Sequence, residues 1–416
     1  MSRGLDIRDR TTFDGPDSPS DDDLSKCVHC GLCLNYCPTF RVTGLESESP
    51  RGRLYLMTQW KRGQMPFTAD LARHIDLCLG CRTCEAVCPS GVPYGRIIEG
   101  GRAEVERLRP RSLKRWLVRQ GLRSVLARPA RLRAAIGMAR LAQRLGVARA
   151  LPGAGQLPVL RSPFKAPPEN IAPPIGPRRY RVAFLTGCVM PLMYASAHEA
   201  SVRLLQLAGC EVWFPPDQRC CGALHAHNGD LEGARQLREV NLKAFGDEPL
   251  DALIVNSAGC GAHLKDFYQE LKFPVRDLFE FLDQVGLPEP TAEVPARVAY
   301  QDACHLLHAQ AIGRQPRHLL SGVPGAQVVE LQHPDICCGS AGLYATLETT
   351  MSDRILAEKM DDVIEAGPEI ITTANPGCQM QLERGLRARG QNIKVMHLAE
   401  FMALAYPERA MGPTSA

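Results

Sequence analysis

From Tyr180 onward, short apolar runs that end in Gly or Cys alternate with stretches of helical periodicity. RVAFLTGC and DALIVNSAGC are two of the apolar runs, and ASAHEASVRLLQLAG is one of the helical stretches between them. Such alternation is typical of a parallel sheet that carries helices on its faces. The pattern therefore predicts an α/β architecture for the C-terminal part of the chain.

The same pattern occurs twice along the chain. Three cysteine landmarks of the first copy return 116 to 118 residues later in the second. The pairs are Cys188 with Cys304, the CCG triplet at Cys220 and Cys221 with the one at Cys337 and Cys338, and Cys260 with Cys378. So constant a shift indicates an internal duplication. We place a first lobe at 180–290 and a second at 291–416, and expect a pseudo-twofold pair that shares a core.

The region before the lobes has a different composition. Eight of the 17 cysteines lie between Cys27 and Cys88, and residues 151–179 hold eight prolines, which predicts a linker of polyproline type. Residues 1–23 are polar and end in an acidic run, so we expect a disordered tail there. The chain shows no signal-peptide pattern and no apolar stretch of spanning length. These features predict a cytoplasmic protein whose cysteines ligate metal instead of forming disulfides.

Two motifs of the form CxxCxxCxxxCP define a predicted domain at 24–101. Three thiolates at this spacing can surround one face of an iron-sulfur cube, while the fourth cysteine, followed by proline, reaches the other cube. The predicted ligands are Cys27, Cys30, Cys33 and Cys88 for one [4Fe-4S] cluster, and Cys78, Cys81, Cys84 and Cys37 for the other. Structural zinc is the alternative, although it requires no third cysteine in each motif. Arg51 and Arg53 would either offset cluster charge or begin a solvated helix.

Each lobe contributes four cysteines near the predicted carboxyl edge of its sheet. They are Cys188, Cys220, Cys221 and Cys260 in the first lobe, and Cys304, Cys337, Cys338 and Cys378 in the second. Convergence on one crevice would allow a further cluster or zinc in either lobe, and packing of buried free thiols is the alternative. Four histidines follow these cysteines, namely His225, His227, His305 and His308. They would relay protons, ligate metal or remain satisfied polar groups at the rim of the crevice.

The motifs resemble two known families. The paired CCG region is similar to the cysteine-rich domains of heterodisulfide reductase, and nearly the full chain resembles the iron-sulfur subunit of glycolate oxidase (glycolate dehydrogenase). CVHCGLCLNYCPTF, PRGRLYLM, CRTCEAVCPSGV, CHLLHAQ, CCGSAGLY and TANPGC carry the resemblance. In the heterodisulfide reductase pattern the last motif of each lobe is CxxC, and five cysteines hold the cluster. Here Ser257 and Asn375 occupy its first position, so four cysteines would remain for an ordinary cube.

The predicted fold class is a multidomain α+β and α/β protein, with a helical ferredoxin-like domain that binds two [4Fe-4S] clusters, followed by the duplicated α/β CCG region. The resemblance implies an electron-transfer subunit, without catalytic residues of its own, of a glycolate-oxidising enzyme. It would take electrons from an FAD-containing flavoprotein and pass them toward a membrane quinone. The alternatives are the equivalent subunit for lactate or anaerobic glycerol-3-phosphate oxidation, or a structural zinc or nucleic-acid-binding protein. We expect no nucleic-acid partner.

The segment from Arg107 to Leu145 holds twelve Lys and Arg residues and no Asp or Glu. It has two apolar faces of helical spacing, one at Val118, Leu122, Val125 and Leu126 and one at Met138, Leu141 and Leu145. Residues 102–150 are therefore predicted to form two basic amphipathic helices broken at Pro129. Such helices suit the anionic inner face of the cytoplasmic membrane. Packing on the acidic remainder of the chain or on the flavoprotein is the alternative.

Overall fold

The computed structural model describes residues 12–109, 113–146, 160 and 162–407, apart from the side chains of Lys114 and Arg115. The helices before the lobes are α1 (Asp21–Ser25), α2 (Pro38–Thr43), α3 (Pro50–Lys61), α4 (Ala69–Asp76), α5 (Thr83–Ala86), α6 (Tyr94–Leu108), α7 (Leu113–Gly121) and α8 (Pro129–Arg144).

The first lobe contains β1 (Ile171–Ala172), β2 (Tyr180–Phe184), α9 (Met190–Met193), α10 (Ala195–Leu207), β3 (Cys210–Trp213), α11 (Ala223–His227), α12 (Leu231–Phe245), β4 (Ala252–Val255), α13 (Ala258–Phe267), β5 (Val275–Asp277) and α14 (Leu278–Val285). The second contains β6 (Ala296–Tyr300), α15 (Cys304–Gln310), α16 (Arg314–Ser321), β7 (Ala326–Val328), α17 (Tyr344–Leu347), α18 (Thr349–Ala366), β8 (Ile370–Thr373), α19 (Pro376–Ala388), β9 (Lys394–His397) and α20 (Leu398–Ala403).

The N-terminal helices pack around one apolar core. α3 begins after Ser49, whose hydroxyl accepts a hydrogen bond from the amide of Gly52 and so caps the helix. Near the end of α3, Trp60 is buried and packs edge-on against Phe13, with ring centroids 4.4 Å apart. The prediction of a disordered tail over 1–23 is therefore wrong for residues 12–23, because burial of Phe13 anchors them to the core. Residues 1–11 lie outside the described residues.

α6 extends past the domain boundary predicted at residue 101. It runs without interruption from Tyr94 to Leu108. Gly101 permits close packing on α3, since a Cβ at this position would lie 2.7 Å from the sulfur of Met57. The boundary at 101 is therefore wrong, because it divides a helix that belongs to the N-terminal core.

The basic segment consists of α7, a π-helical turn at Leu122–Leu126, and α8. The helical path breaks at Arg128, whose backbone is extended because the next residue is Pro129. Leu122 is buried, whereas Met138 is 69% exposed. The two predicted apolar faces thus have different surroundings, one inside the protein and one in solvent.

Each lobe is built on a sheet of mainly parallel strands. The strand order is β1-β3-β2-β4-β5 in the first sheet and β7-β6-β8-β9 in the second. Among the described strands, β1 pairs antiparallel with β3, placing Ile171 opposite Trp213, and the other pairs are parallel. The linker predicted at 151–179 therefore contributes a strand to the first sheet. Residues 151–159 and 161 of that stretch lie outside the described residues.

The two lobes share one core, which agrees with the predicted duplication. Val182 of the first sheet and Val298 of the second are fully buried in the same apolar cluster. The repeat also appears at equivalent helix starts, because α14 and α20 both begin with a capping box, with Asp277 and His397 as the respective N-cap residues. The shared core thereby fixes the two sheets relative to each other.

Candidate functional site

The first predicted ligand set comes together around one cavity. The cysteines that line this cavity are Cys27, Cys30, Cys33 and Cys88, together with Cys84 of the second set. The loop before α2 turns at His29 and Gly31, whose φ angles are 57° and 82°. The guanidinium of Arg51 donates a hydrogen bond to the carbonyl oxygen of His29 at 3.0 Å. Arg51 therefore supports the loop that brings three of these thiols together.

The second predicted set is buried within the same domain. Its members are Cys37, Cys78, Cys81 and Cys84. The sulfur of Cys78 accepts a hydrogen bond from the amide of Gly80 at 3.3 Å. Burial raises the pKa of Cys84 well above its usual range, and the neighbouring Cys81 and Cys78 raise it further. Such thiols become thiolates together only when a cation offsets their charge, and the iron of a cluster supplies that cation.

Arg53 places a permanent cation next to this second set. Its guanidinium is completely buried and pairs with the carboxylate of Glu48 at 2.6 Å. It also donates to the hydroxyl of Thr39 at 3.1 Å, and that hydroxyl lies 3.3 Å from the sulfur of Cys37. Burial disfavours the charged form, but the nearby Cys78 and Cys37 raise the pKa of Arg53, which stays charged. A solvated helix start is therefore wrong for Arg53.

The structure brings the four cysteines of each lobe together. In the first lobe, hydrogen bonds join the side chains of Cys188, Cys220, Cys221 and Cys260. In the second lobe, they join Cys304, Cys337, Cys338 and Cys378. The contacts from Cys188 and Cys221 lower the pKa of Cys220 well below its usual range. Each lobe thus offers four sulfur donors, the donor set of an iron-sulfur cube.

Polar side chains contact the thiols of the second lobe. The amide nitrogen of Asn375 donates to the sulfur of Cys378 at 3.6 Å, and its oxygen accepts from the amide of Gly259 in the first lobe at 3.3 Å. Nδ1 of His305 lies 3.5 Å from the sulfur of Cys304. Hydrogen bonds to sulfur help to set the potential of a cluster. Asn375 therefore still contacts the site, although it replaces a cysteine of the heterodisulfide reductase pattern.

Both quartets open onto one cavity between the lobes, which we call the interlobe chamber. It has a volume of about 620 Å³, and Cys81 of the second N-terminal set also lines it. Its other walls are largely apolar and include Val118, Leu122, Val125, Leu126, Met190 and Met193. The chamber therefore combines eight lobe thiols with a wall typical of a site for an apolar ligand.

The first apolar face of the basic segment lines this chamber, with Leu122 buried and Val118, Val125 and Leu126 half-buried. Arg123 holds it in place, because its Nε donates to the carboxylate of Asp230 at 2.8 Å, and Arg119 contacts the same carboxylate at 3.3 Å. Burial disfavours the charged form of Asp230, but the hydrogen bond from Arg123 lowers its pKa. A membrane-facing role is therefore wrong for this face, which packs on the acidic remainder of the chain.

Cys81 lies where the N-terminal domain meets the second lobe. Burial raises the pKa of Cys81 to about 12, and the neighbouring Cys304 contributes to that rise. The hydroxyl of Tyr344 in the second lobe donates to the carbonyl oxygen of Leu77 at 3.0 Å and fixes the two parts together. The spacing of the motifs could not predict that Cys81 lies near Cys304, because this contact depends on how the N-terminal domain and the second lobe pack together.

The four predicted histidines have different surroundings. His225 is hydrogen-bonded to Cys220, and His305 to Cys304. Nδ1 of His227 lies 2.7 Å from the carboxylate of Glu99 on α6. Nε2 of His308 is buried without a hydrogen-bond partner among the described residues. Glu99 was not singled out in the sequence, because its role arises only when α6 packs against the first lobe.

Comparison with known protein families agrees with this geometry. Residues 23–92 match a family model described as a 4Fe-4S dicluster domain. Residues 182–265 and 298–383 match the model of the cysteine-rich CCG domain. The fold and the site thus define an iron-sulfur protein with two clusters in its N-terminal domain and a pair of CCG domains. The predicted fold class is confirmed.

The relatives identify the family. The chain is 36% identical to the probable glycolate oxidase iron-sulfur subunit of Bacillus subtilis, a match that covers 91% of this chain and 93% of the relative. It is 32% identical to the glycolate oxidase iron-sulfur subunit of Escherichia coli, over 87% of this chain and 90% of the relative. Lactate utilization protein A of a Geobacillus species is 28% identical, over 53% of this chain and 98% of that protein. The chain belongs to the glycolate oxidase iron-sulfur subunit family.

Family membership confirms the resemblance seen in the motifs. The protein carries [4Fe-4S] clusters and acts in electron transfer as the iron-sulfur subunit of an oxidoreductase. The structural zinc alternative for the two CxxCxxCxxxCP motifs is wrong, because they lie within the dicluster domain. The assignment of individual cysteines to individual clusters stays a prediction.

Proposed function

We propose that this chain carries electrons from a flavoprotein partner, which oxidises a small 2-hydroxy acid, to a quinone at the membrane. One observation above all supports this route of transfer: Cys81 belongs to the second N-terminal set and lines the interlobe chamber together with Cys304. The N-terminal clusters and the lobe thiols thus share a wall, which offers electrons a short route through one chain.

The proposed ligands of the two N-terminal clusters are the crossed sets, Cys27, Cys30, Cys33 and Cys88, and Cys78, Cys81, Cys84 and Cys37. We further propose a third cluster on Cys304, Cys337, Cys338 and Cys378. That quartet adjoins Cys81, receives a hydrogen bond from Asn375 and contacts Nδ1 of His305. The first-lobe quartet of Cys188, Cys220, Cys221 and Cys260 is a second candidate for a cluster or for zinc.

The proposed substrate of the complex is glycolate, with oxidation on the partner flavoprotein. The names of the two full-length relatives support glycolate, while the partial relative named for lactate utilization supports lactate as the alternative. Anaerobic glycerol-3-phosphate oxidation is a further alternative. Because the partner would bind the acid, the chemistry of this chain is compatible with each of these donors.

Substrate-driven reduction tests this proposal. We expect that the chain, co-purified anaerobically with its flavoprotein partner, loses its iron-sulfur absorption when glycolate is added, since cluster reduction bleaches the visible bands. Lactate and glycerol-3-phosphate are added in separate experiments, and the substrate that bleaches the cluster absorption identifies the electron donor. Reduction of the flavin without any change in cluster absorption would exclude the proposed electron route.

Membrane association is proposed on the basis of the second apolar face and its neighbours. Among the described helices, none has the length and apolar character needed to cross a bilayer. α7, α8 and the residue that follows α8 nevertheless expose large apolar side chains, which are Leu113, Trp116, Leu117, Met138, Leu141 and Leu145. Arg131, Arg133 and Arg144 are exposed on α8 as well. Apolar residues among arginines favour the surface of an anionic bilayer.

We expect the double substitution Trp116→Glu with Leu141→Glu to weaken binding of the full chain to anionic vesicles by about tenfold or more, because two apolar anchors are replaced by repelled charges. Vesicle co-sedimentation with and without anionic lipid measures the effect. Val240→Glu, at an exposed apolar position on α12, is the matched control. Vesicle binding that is the same for the double variant and the wild type would contradict this surface.

A further inference from the structure

The interlobe chamber has two kinds of wall. One consists of the cysteine-bearing loops of the two lobes, and the other of apolar side chains from α9 and from residues 118–132. Iron-sulfur ligation explains the first wall only. An apolar wall of this kind, with a few polar groups, is typical of a site for a small organic ligand.

Tyr194 is the first polar group that suggests a bound ligand in the chamber. It follows α9, is 6% exposed and lines the chamber, and its hydroxyl has no hydrogen-bond partner among the described residues. Buried hydroxyls are normally paired, so this unpaired one is available to a molecule bound in the chamber. Burial raises the pKa of Tyr194 far above neutrality, and the hydroxyl therefore remains a hydrogen-bond donor.

A second unpaired polar atom lies in the same chamber. Nε2 of His305 has no partner among the described residues, while Nδ1 of the same ring contacts Cys304. Two residues that line the chamber, Tyr194 and His305, therefore each carry an unpaired polar atom. A quinone matches this arrangement, because it has a flat apolar ring with a carbonyl oxygen at each end.

We propose that the interlobe chamber is a quinone-binding site of this chain, in which the Tyr194 hydroxyl donates a hydrogen bond to a carbonyl oxygen of the quinone. This inference rests on the proposed function, which supplies the electrons. The quinone accepts two electrons, one at a time, from the clusters, and two protons from water, and leaves as quinol. The hydroxy acid oxidised on the flavoprotein is the source of the electron pair.

A second cavity lies beside the chamber. It has a volume of about 230 Å³, shares His227 and His305 with the chamber and is also lined by the charged residues Arg82, Glu99 and Asp266. His227 and His305 thus lie between the second cavity, which has charged walls, and the largely apolar interlobe chamber. This places a supply of protons next to the proposed site of quinone reduction.

The segment that lines the chamber at residues 118–132 favours an apolar ligand that comes from the membrane. The segment whose first apolar face closes the chamber continues into α8, which exposes Met138 and Leu141 to solvent. The cover is held to the lobe by the contacts of Arg119 and Arg123 with Asp230. The same short stretch of chain therefore lines the proposed quinone site and forms the surface proposed to face the bilayer.

The test uses the full chain, purified anaerobically and reduced with dithionite, with ubiquinone-1 as the oxidant. We expect Tyr194→Phe to slow cluster reoxidation by ubiquinone-1 about tenfold, because one buried hydrogen bond to the quinone is lost while the ring is retained. Tyr406→Phe is the matched control, since it removes a hydroxyl that donates to the carbonyl oxygen of Pro288 away from the chamber. Equal rates for the Tyr194 variant and the wild type would overturn the assignment of Tyr194.

A binding measurement separates this inference from the proposed function. An azido-substituted ubiquinone, activated by light, is expected to label peptides that contain residues 113–132 or 190–194, and unlabelled ubiquinone-1 is expected to compete. Labelling confined to other surfaces would reject the chamber even if glycolate still reduces the clusters. Conversely, labelling of the chamber in a chain whose clusters the flavoprotein does not reduce would reject the proposed function alone.

Discussion

Replacement of Arg53 by methionine is expected to lower the free energy of unfolding of the N-terminal domain by about 3–5 kcal/mol, because it removes the buried guanidinium that pairs with the carboxylate of Glu48 and leaves that carboxylate only its contact with His74. Arg53 also donates to the carbonyl oxygen of His74 at 2.6 Å and to the hydroxyl of Thr39, beside Cys37. The variant should therefore lose iron from the second N-terminal cluster as well. Anaerobic urea unfolding, followed by cluster absorption and iron analysis, measures both effects.

Two further variants make this result specific. Arg62→Met removes an exposed arginine at the end of the same helix and should leave stability and iron content within experimental scatter. Arg53→Lys keeps the charge but lacks the planar guanidinium that reaches several acceptors. We therefore expect its losses of stability and of iron to lie between those of the methionine variant and the wild type. Wild-type stability of the methionine variant would show that the charge of Arg53 does not support the cluster.

Replacement of Cys37 by serine is expected to remove about 4 irons, those of the cluster whose other ligands are Cys78, Cys81 and Cys84. The reason is the proposed crossed arrangement. It is supported by Cys88, which lines the cavity of Cys27, Cys30 and Cys33 together with Cys84, and by Cys37, which is buried like the second set. Electron paramagnetic resonance should then show the remaining cluster without the coupling to its neighbour. Loss of the cluster that begins at Cys27 would contradict the crossed assignment.

Other cysteines supply the controls for this experiment. Cys210, in β3, is buried but belongs to neither quartet, so Cys210→Ser should keep the full iron content. Cys338→Ser should lower iron content while preserving both N-terminal signals, if the second lobe holds a third cluster. Cys221→Ser makes the same comparison for the first lobe. Full iron content in both lobe variants would favour simple packing of those thiols.

The thiol sets could be predicted because the information is local. Three cysteines at intervals of three residues must lie on one turn of chain, and repeated strand ends must share a sheet edge. The constant shift between Cys188 and Cys304 likewise indicated two lobes with one core. These features depend on short stretches of chain, and the structure has each of them.

Other features depend on packing between distant segments and could not be predicted. The helical period correctly placed Val118 and Leu122 on one face, but periodicity does not tell whether a face covers a cavity or a membrane. The complete burial of Arg53 could not be predicted either, because Glu48 and the neighbouring thiols come into contact with it only in the folded domain. The same holds for Phe13, whose single aromatic ring in a polar segment anchors residues 12–23.

Iron and acid-labile sulfide analysis of the anaerobically purified full chain, combined with electron paramagnetic resonance after dithionite reduction, tests the central claim most directly. The full chain is required, because a cut at residue 101 would divide α6 and because Tyr344 of the second lobe binds Leu77. The account predicts a brown protein with at least about 8 irons and 8 sulfides per chain and spin-coupled signals from two neighbouring cubes. A colourless protein that holds zinc and gives no signal on reduction would contradict it.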